Sequence, residues 1–282
     1  MKIIYIDHPI SDNQRSELLF SGHLLVYTQA QCMLELIEFT KDLLAKSMGN
    51  LDPTIVQQSL KKAPFLAATC QAQMEFRNSK EARQLFFKAL AECGVDLINT
   101  YYDHFPLRIV PFAHKHTGAH RAAIGHHRDT WGSNIHCQQN WWAPIFDVTE
   151  ERTIAIYPDY WKKPIENTTE TWSFEQFLAE RKNTESERSI IYPSAPSVIG
   201  EVDERSVVKL VIQPGEILNF SSAHLHASVP NTSQATRYSV EMRTITVGDL
   251  SAEHQAPNLD NKGEKPMYSW FKNMSTNKTL IK

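Results

Sequence analysis

Nowhere in the 282 residues do about 18 apolar side chains run together, as a membrane-spanning helix requires. There is no CxxC pair: Cys32, Cys70, Cys93 and Cys137 lie far apart, which argues against a disulfide framework or a zinc knuckle and predicts buried, reduced thiols. Nor is there an excess of one charge. The formal net charge of −3 implies no polyanionic partner, so neither nucleic acid nor an anionic membrane is expected to bind, and a small molecule is the expected partner. The opening MKIIYIDHPIS has one early Lys and an apolar run too short for a signal-peptide core, so the expected location is cytoplasmic. No internal repeat or low-complexity tract points to a solenoid or a linker. What remains is ordinary globular material, 41% hydrophobic and 22% charged, enough to bury a sizeable core in one domain spanning 1–282. Nothing in it sets the oligomeric state.

Residues 1–100 read as mostly helical support. Gln29 to Met48 carries Met33, Leu34, Ile37, Leu43 and Leu44 near helical spacing and stops at Gly49-Asn50, a pair suited to a left-handed cap. A second amphipathic stretch opens at Ser79, a plausible N-cap, and ends at Gly94. After about Asn99 the chain changes to short aromatic and β-branched runs broken by Pro, Gly, Asn and Asp, the signature of strands in a sandwich or barrel. Strands are predicted over Leu107–Phe112, Ile135–Phe146, Arg152–Tyr157, Ser206–Ile212, Glu216–Phe220, Ala223–Val229 and Arg237–Val247. An insertion over about 161–204 is polar, with a short helix expected at Ser173–Lys182 and a Pro-containing loop at Tyr192–Pro196. It reads equally as a lid over a site or as a solvated excursion. Residues 248–282 form a C-terminal extension.

Nine of the twelve histidines lie between His104 and His226. Within them His127-Arg128-Asp129 sets a nitrogen ligand and an oxygen ligand two residues apart, and in extended chain such side chains leave the same face. A third ligand is expected from the His224-Leu225-His226 segment, after the turn and strand of Pro214–Phe220. Two histidines and one carboxylate on one face, with positions left open, suit non-haem Fe(II), although zinc tolerates the same donors.

The runs HRDTW, QNWWAPI, PGEILNF, HASVPNTS and RYS, spread over about 105–245, resemble the Fe(II)/2-oxoglutarate oxygenase superfamily, most closely its phytanoyl-CoA-dioxygenase-like branch. The resemblance implies an α+β chain with a double-stranded β-helix (jelly-roll) core over 105–247, a helical N-terminal layer and an inserted lid. It also chooses the distal ligand. His226 opens the H-x-S-x-x-N stretch with Ser228 and Asn231, and Arg237 follows eleven residues later, so the implied metal ligands are His127, Asp129 and His226, with His224 either supporting the ligands from behind or packing on the strand. The implied cofactor is Fe(II), with 2-oxoglutarate and O2 as co-substrates. Arg237 is suited to pair with the far carboxylate of 2-oxoglutarate, with Ser239 on the same strand face adding a hydroxyl. Gln138, Asn140 and Trp142 share one strand face, and the amides of Gln138 and Asn140 are candidates to line the same pocket or to satisfy each other. Substrate candidates are Arg108, Trp131, Tyr157 and Trp161. His126 should face away from His127. Because Asp129 is a carboxylate rather than the small residue of related halogenases, the resemblance implies a hydroxylase releasing succinate and CO2, with desaturation or ring closure as variants. The rival reading is a cupin-like metalloprotein that isomerises, hydrolyses or merely binds its ligand on the same fold. It has no need of Arg237 and Ser239.

Overall fold

The computed structural model describes residues 1–112, 124–177, 179 and 195–281. The N-terminal region builds β1 (Ile3–Ile6), α1 (Asp12–Phe20), β2 (Leu24–Tyr27), α2 (Gln31–Ser47), α3 (Val56–Ser59), α4 (Lys62–Asn78) and α5 (Lys80–Glu92). Local chemistry sets several boundaries. Ser11 and Gln14 form a reciprocal capping box on α1, and the Ser79 hydroxyl accepts from Ala82 N at the start of α5. Gly49 (φ 65°) and Asn50 (φ 60°) adopt the left-handed conformation that ends α2. β1, α1, β2 and α4 were not read from the sequence. β1 and β2 are four-residue strands, and β2, buried on both faces, has an apolar run without alternation. All four cysteines are free, and Cys70 is exposed on α4 rather than buried as expected.

The remainder contributes β3 (Thr100–Tyr102), β4 (Leu107–Val110), α6 (Asp129–Ser133), β5 (Gln139–Pro144), β6 (Ile154–Ile156), β7 (Val208–Leu210), β8 (Ile217–Ser221), β9 (His226–Ser228), β10 (Arg237–Thr246), α7 (Val247–Ala252) and β11 (Lys272–Asn273). The major sheet runs β1-β2-β8-β5-β10-β3-β11, with β4 also paired to β10, and the minor sheet runs β7-β6-β9. Each predicted strand segment coincides with one of these strands, which is shorter by a few residues except for β8, of equal length and shifted one residue onward. The turn before β8 depends on Gly215, at φ 102°, where an added Cβ would also strike Leu34 of α2 at 2.8 Å. Of the predicted insertion helix, residues 173–177 and 179 are described, with 174–177 and 179 helical, and residues 192–194 of the predicted loop lie outside the described residues.

Period-two alternation divides the strands between two environments. Tyr238, Val240 and Met242 of β10, with Trp141 and Ala143 of β5, pack against the helical layer through Leu36, Leu44, Phe76 and Phe86. The other face of the major sheet carries Leu24, Val26, Trp142, Leu218 and Phe220, which meet Ile154, Ile156 and Leu210 of the minor sheet. Two sheets thus close face to face over an apolar floor, the jelly-roll arrangement, with helices outside. Burying each of these large side chains stabilises the fold by about 1.5–3 kcal/mol. On β10 the alternation also directs Arg237, Ser239, Glu241 and Arg243 to the interior. No described helix is long and apolar enough to cross a membrane.

Candidate metal centre

His127 and His226 meet as an antiparallel bridge, each backbone N–H donating to the other's carbonyl at 3.0 Å. This joins the loop before α6 to β9 and brings the rings to 4.2 Å between centroids. Arg128 is extended (φ −113°, ψ 135°), so Asp129 emerges on the same side as His127, but Asp129 itself is the first residue of α6 rather than a strand residue. The i, i+2 argument holds for one step only, which is enough. The three ligand atoms lie within 4.8 Å of one another, the only such group among the described residues. Asp129 Oδ1 is 3.7 Å from His127 Nε2 and Oδ2 is 3.5 Å from His226 Nε2.

Hydrogen bonds set the ring tautomers. His127 Nδ1 donates to the Gly125 carbonyl at 2.8 Å and His226 Nδ1 to the His224 carbonyl at 3.0 Å. A carbonyl only accepts, so each proton resides on Nδ1 and each Nε2 lone pair points toward Asp129, free for a metal ion. Burial, then the adjacent His226, lowers the His127 pKa to about 4, keeping the ring a neutral donor at physiological pH. Burial alone would raise the Asp129 carboxyl. Arg243, then the two histidines, outweigh it and hold the group well below the usual carboxylate range.

The amides take a more specific role than the sequence implied. Gln138 Nε2 donates to Ser222 Oγ, that hydroxyl donates to Asn140 Oδ1, and Asn140 Nδ2 donates to Asp129 Oδ2. The relay fixes which way the Asn140 amide faces and holds one oxygen of the ligand carboxylate. Arg237 is 1% exposed and Ser239 fully buried. Arg237 donates to the Thr153 carbonyl and to Ser228 Oγ at 3.2 Å, while its Nε, Ser239 Oγ and Trp142 Nε1 are buried without a hydrogen-bond partner among the described residues. Burial first, then Arg108, lowers the Arg237 pKa to about 9, as befits a buried cation beside another cation.

Of the four substrate candidates the structure brings only Arg108 into the interior, and there its guanidinium pairs with Glu241. Tyr157 follows Ile156 on β6 and so faces outward, packing with Trp131, Ala155, Leu225 and Ala227 and contacting His126 at 2.9 Å. The Trp131 indole donates to Asp260 at 2.7 Å, and Trp161 lies tilted against His224 with ring centroids 4.3 Å apart. These three aromatics are separated from the triad because strand alternation and α6 turn them to the outer face. His126 faces away from His127, as expected.

Arg128, between two ligands, escaped the sequence reading. Its guanidinium donates to Asp260 Oδ2 at 3.1 Å, to the carbonyls of Tyr160 and Lys163 at 2.7 and 3.1 Å, and to that of Ala223. It therefore ties the ligand loop to the start of the insertion, to the turn before β9 and to the C-terminal extension. A signal for Arg128 was present, since the residue between two same-face ligands must point the opposite way. None existed for Asp260, which lies over 130 positions downstream.

His224 is fully buried, both ring nitrogens lack a partner among the described residues, and burial lowers its pKa to about 3. An unfolded histidine titrates near 6.5, so between that pH and about 3 the unfolded chain binds a proton that the folded chain refuses. The stabilising effect of a neutral His224 is complete above about pH 6.5 and is lost as pH falls. In chelator-treated protein, His224→Leu is expected to flatten the fall in stability between neutral pH and about pH 5, a difference on the order of 2 kcal/mol. Denaturant unfolding at several pH values measures it; parallel profiles for both proteins would mean the ring is not held neutral.

No family model matches the sequence, and no curated protein matches it. Among solved structures, EvdO2 from Micromonospora carbonacea var. aurantiaca complexed with 2-oxoglutarate is similar at 14% identity and TM-score 0.45, covering 85% of this chain and 93% of that one. EctD from S. alaskensis with bound Fe is similar at 16% identity and TM-score 0.43, covering 93% and 81%. The non-haem monooxygenase ThoJ is similar at 14% identity and TM-score 0.41, covering 74% and 70%. Likenesses this distant do not say what this chain binds. What the site can do is read from this chain's own sheets and from its His127, Asp129 and His226 group.

Proposed function

We propose that this chain, as a single oxygenase domain, is an Fe(II)/2-oxoglutarate-dependent dioxygenase that hydroxylates a small molecule and releases succinate and CO2. The observation that carries the reading is Arg237. It is a buried guanidinium with no carboxylate partner among the described residues, beside the orphaned Ser239 hydroxyl and on the interior that also holds the triad. Leaving such a cation unpaired is costly, and a dicarboxylate co-substrate would supply its partner. Arg237 would grip the far carboxylate through two parallel hydrogen bonds, with Ser239 Oγ donating a third. His127, Asp129 and His226 would hold Fe(II) as a facial set with neighbouring positions open. The bound iron, 2-oxoglutarate and O2 supply the oxidising chemistry; the residues position it. Asn140 keeps Asp129 aligned, and the Arg108–Glu241 pair presents a charge-balanced wall, which favours a substrate that does not depend on Arg108 to hold an acid group. A cytoplasmic location suits an enzyme that draws on 2-oxoglutarate.

The test is anaerobic reconstitution. The protein should bind about one Fe(II), and adding 2-oxoglutarate should produce a weak visible charge-transfer band. Succinate should then form on exposure to air. If millimolar 2-oxoglutarate leaves the metal spectrum unchanged, the non-oxidative cupin-like reading takes its place.

A further inference from the structure

Asp129 has both oxygens engaged before any metal is considered. Oδ2 accepts from Asn140, and Oδ1 accepts from Arg243 Nη1 at 3.0 Å. Each carboxylate oxygen has two acceptor sites, so one remains on each for an ion. Arg243 lies across from Asn140 in the β10–β5 register, so the two donors grip the carboxylate from adjacent strands. Arg243 is itself fixed by Asp103. Its Nε donates to Asp103 Oδ2 at 2.6 Å, its backbone N–H donates to Oδ1 at 3.1 Å, and Asp103 N donates back to the Arg243 carbonyl at 3.2 Å. The Asp103 side chain is 1% exposed. Burial alone would raise its pKa, but Arg243, then His104 with its Nδ1 2.7 Å from Oδ2, lower it to about 2, so it is a full negative charge. Trp270 of the C-terminal extension covers the guanidinium at 5.5 Å, and Phe174 packs edge-on against Trp270 at 4.7 Å.

We propose that Arg243 is the positioning residue of the ligand carboxylate and that Asp103 is its counter-charge, the pair together setting how strongly Asp129 donates to the metal. The inference rests on the triad as a metal site but not on the co-substrate. A lone guanidinium against Asp129 would compete with a divalent cation for its charge. Asp103 draws that charge away while keeping the hydrogen bond that stops the carboxylate rotating.

Charge and geometry are separable in a small cycle of variants, using Co(II) alone as the probe. Asp103→Asn leaves the whole Arg243 charge on Asp129, and Co(II) affinity should fall about ten- to a hundredfold. Asp103→Asn combined with Arg243→Gln removes that charge, so affinity should recover relative to Asp103→Asn, while the Co(II) visible bands shift because the carboxylate has lost its clamp. Arg243→Lys, which keeps the charge, should bind Co(II) within a few-fold of wild type with altered bands, and it serves if Asp103→Asn fails to fold. A merely structural pair predicts the opposite order, with the double variant weaker than the single. That order, or bands unchanged in every variant, would overturn the proposal. A wild-type protein that leaves the Co(II) spectrum in its aqueous form would overturn the metal reading itself, and this inference with it.

Discussion

Replacing His127, Asp129 or His226 by Ala is expected to abolish iron retention, whereas His224→Ala should keep it. The two histidines near the distal strand differ in what their nitrogens face. His226 commits Nδ1 to a carbonyl and turns Nε2 toward Asp129, 3.5 Å away. His224 is two residues earlier, yet its ring packs tilted against Trp161, and it belongs to no group of converging ligand atoms among the described residues. A three-ligand facial site that loses one protein donor keeps only two, too few to survive desalting. Iron content measured after anaerobic loading and gel filtration decides the matter, with circular dichroism confirming the fold. Loss of iron in His224→Ala together with retention in His226→Ala would place the site one register away on that segment.

The second large effect falls on Arg237. With a buried far carboxylate as its partner, truncating one member of the pair costs about 2–5 kcal/mol, so Arg237→Ala should weaken 2-oxoglutarate by roughly 30-fold or more. Arg237→Lys should recover only part, because a point charge cannot reproduce the two-pronged contact. The guanidinium also donates to the Thr153 carbonyl next to β6 and to Ser228 on β9, so some stability is lost with it. Iron binding should barely change, which separates a co-substrate role from general damage. Succinate formation against 2-oxoglutarate concentration, with iron measured on the same samples, reads both. Wild-type dependence in Arg237→Ala would show that the anchor lies elsewhere.

The site was legible in the sequence wherever it depends on short-range periodicity. Arg237 and Ser239 share a face with Glu241 and Arg243 because strand side chains alternate, and the same rule turned Asn140 and Trp142 inward while sending His126 outward. Following that face two steps past Glu241's neighbour Ser239 would have reached Arg243. What the sequence could not supply is contact between distant segments. Asp103 meets Arg243 across 140 residues and Asp260 meets Arg128 across 132, with no local pattern announcing either. The aromatic substrate candidates illustrate the converse. Trp131 lies two residues past Asp129 along the chain, yet the turn of α6 aims its ring at Asp260, and at Tyr157 one residue of strand is enough to place a ring on the wrong side of a sheet. β2 was hidden for another reason: a strand buried on both faces shows no alternation, and its short apolar run could not be told from helix.

The buried Arg128–Asp260 contact also bears on the order in which a working site can come into being. All three ligands precede residue 227, so a growing chain possesses them well before it is finished. Yet the loop that presents two of them is braced by a carboxylate well past the last of them in the chain, where Asp260 also receives the Trp131 indole and the Ile165 N–H. A nascent or clipped chain ending before Asp260 would carry the whole ligand set and still leave Arg128 buried without its counter-charge. If the triad holds a metal, a chain cut before Asp260 is therefore expected to load it poorly despite carrying every ligand.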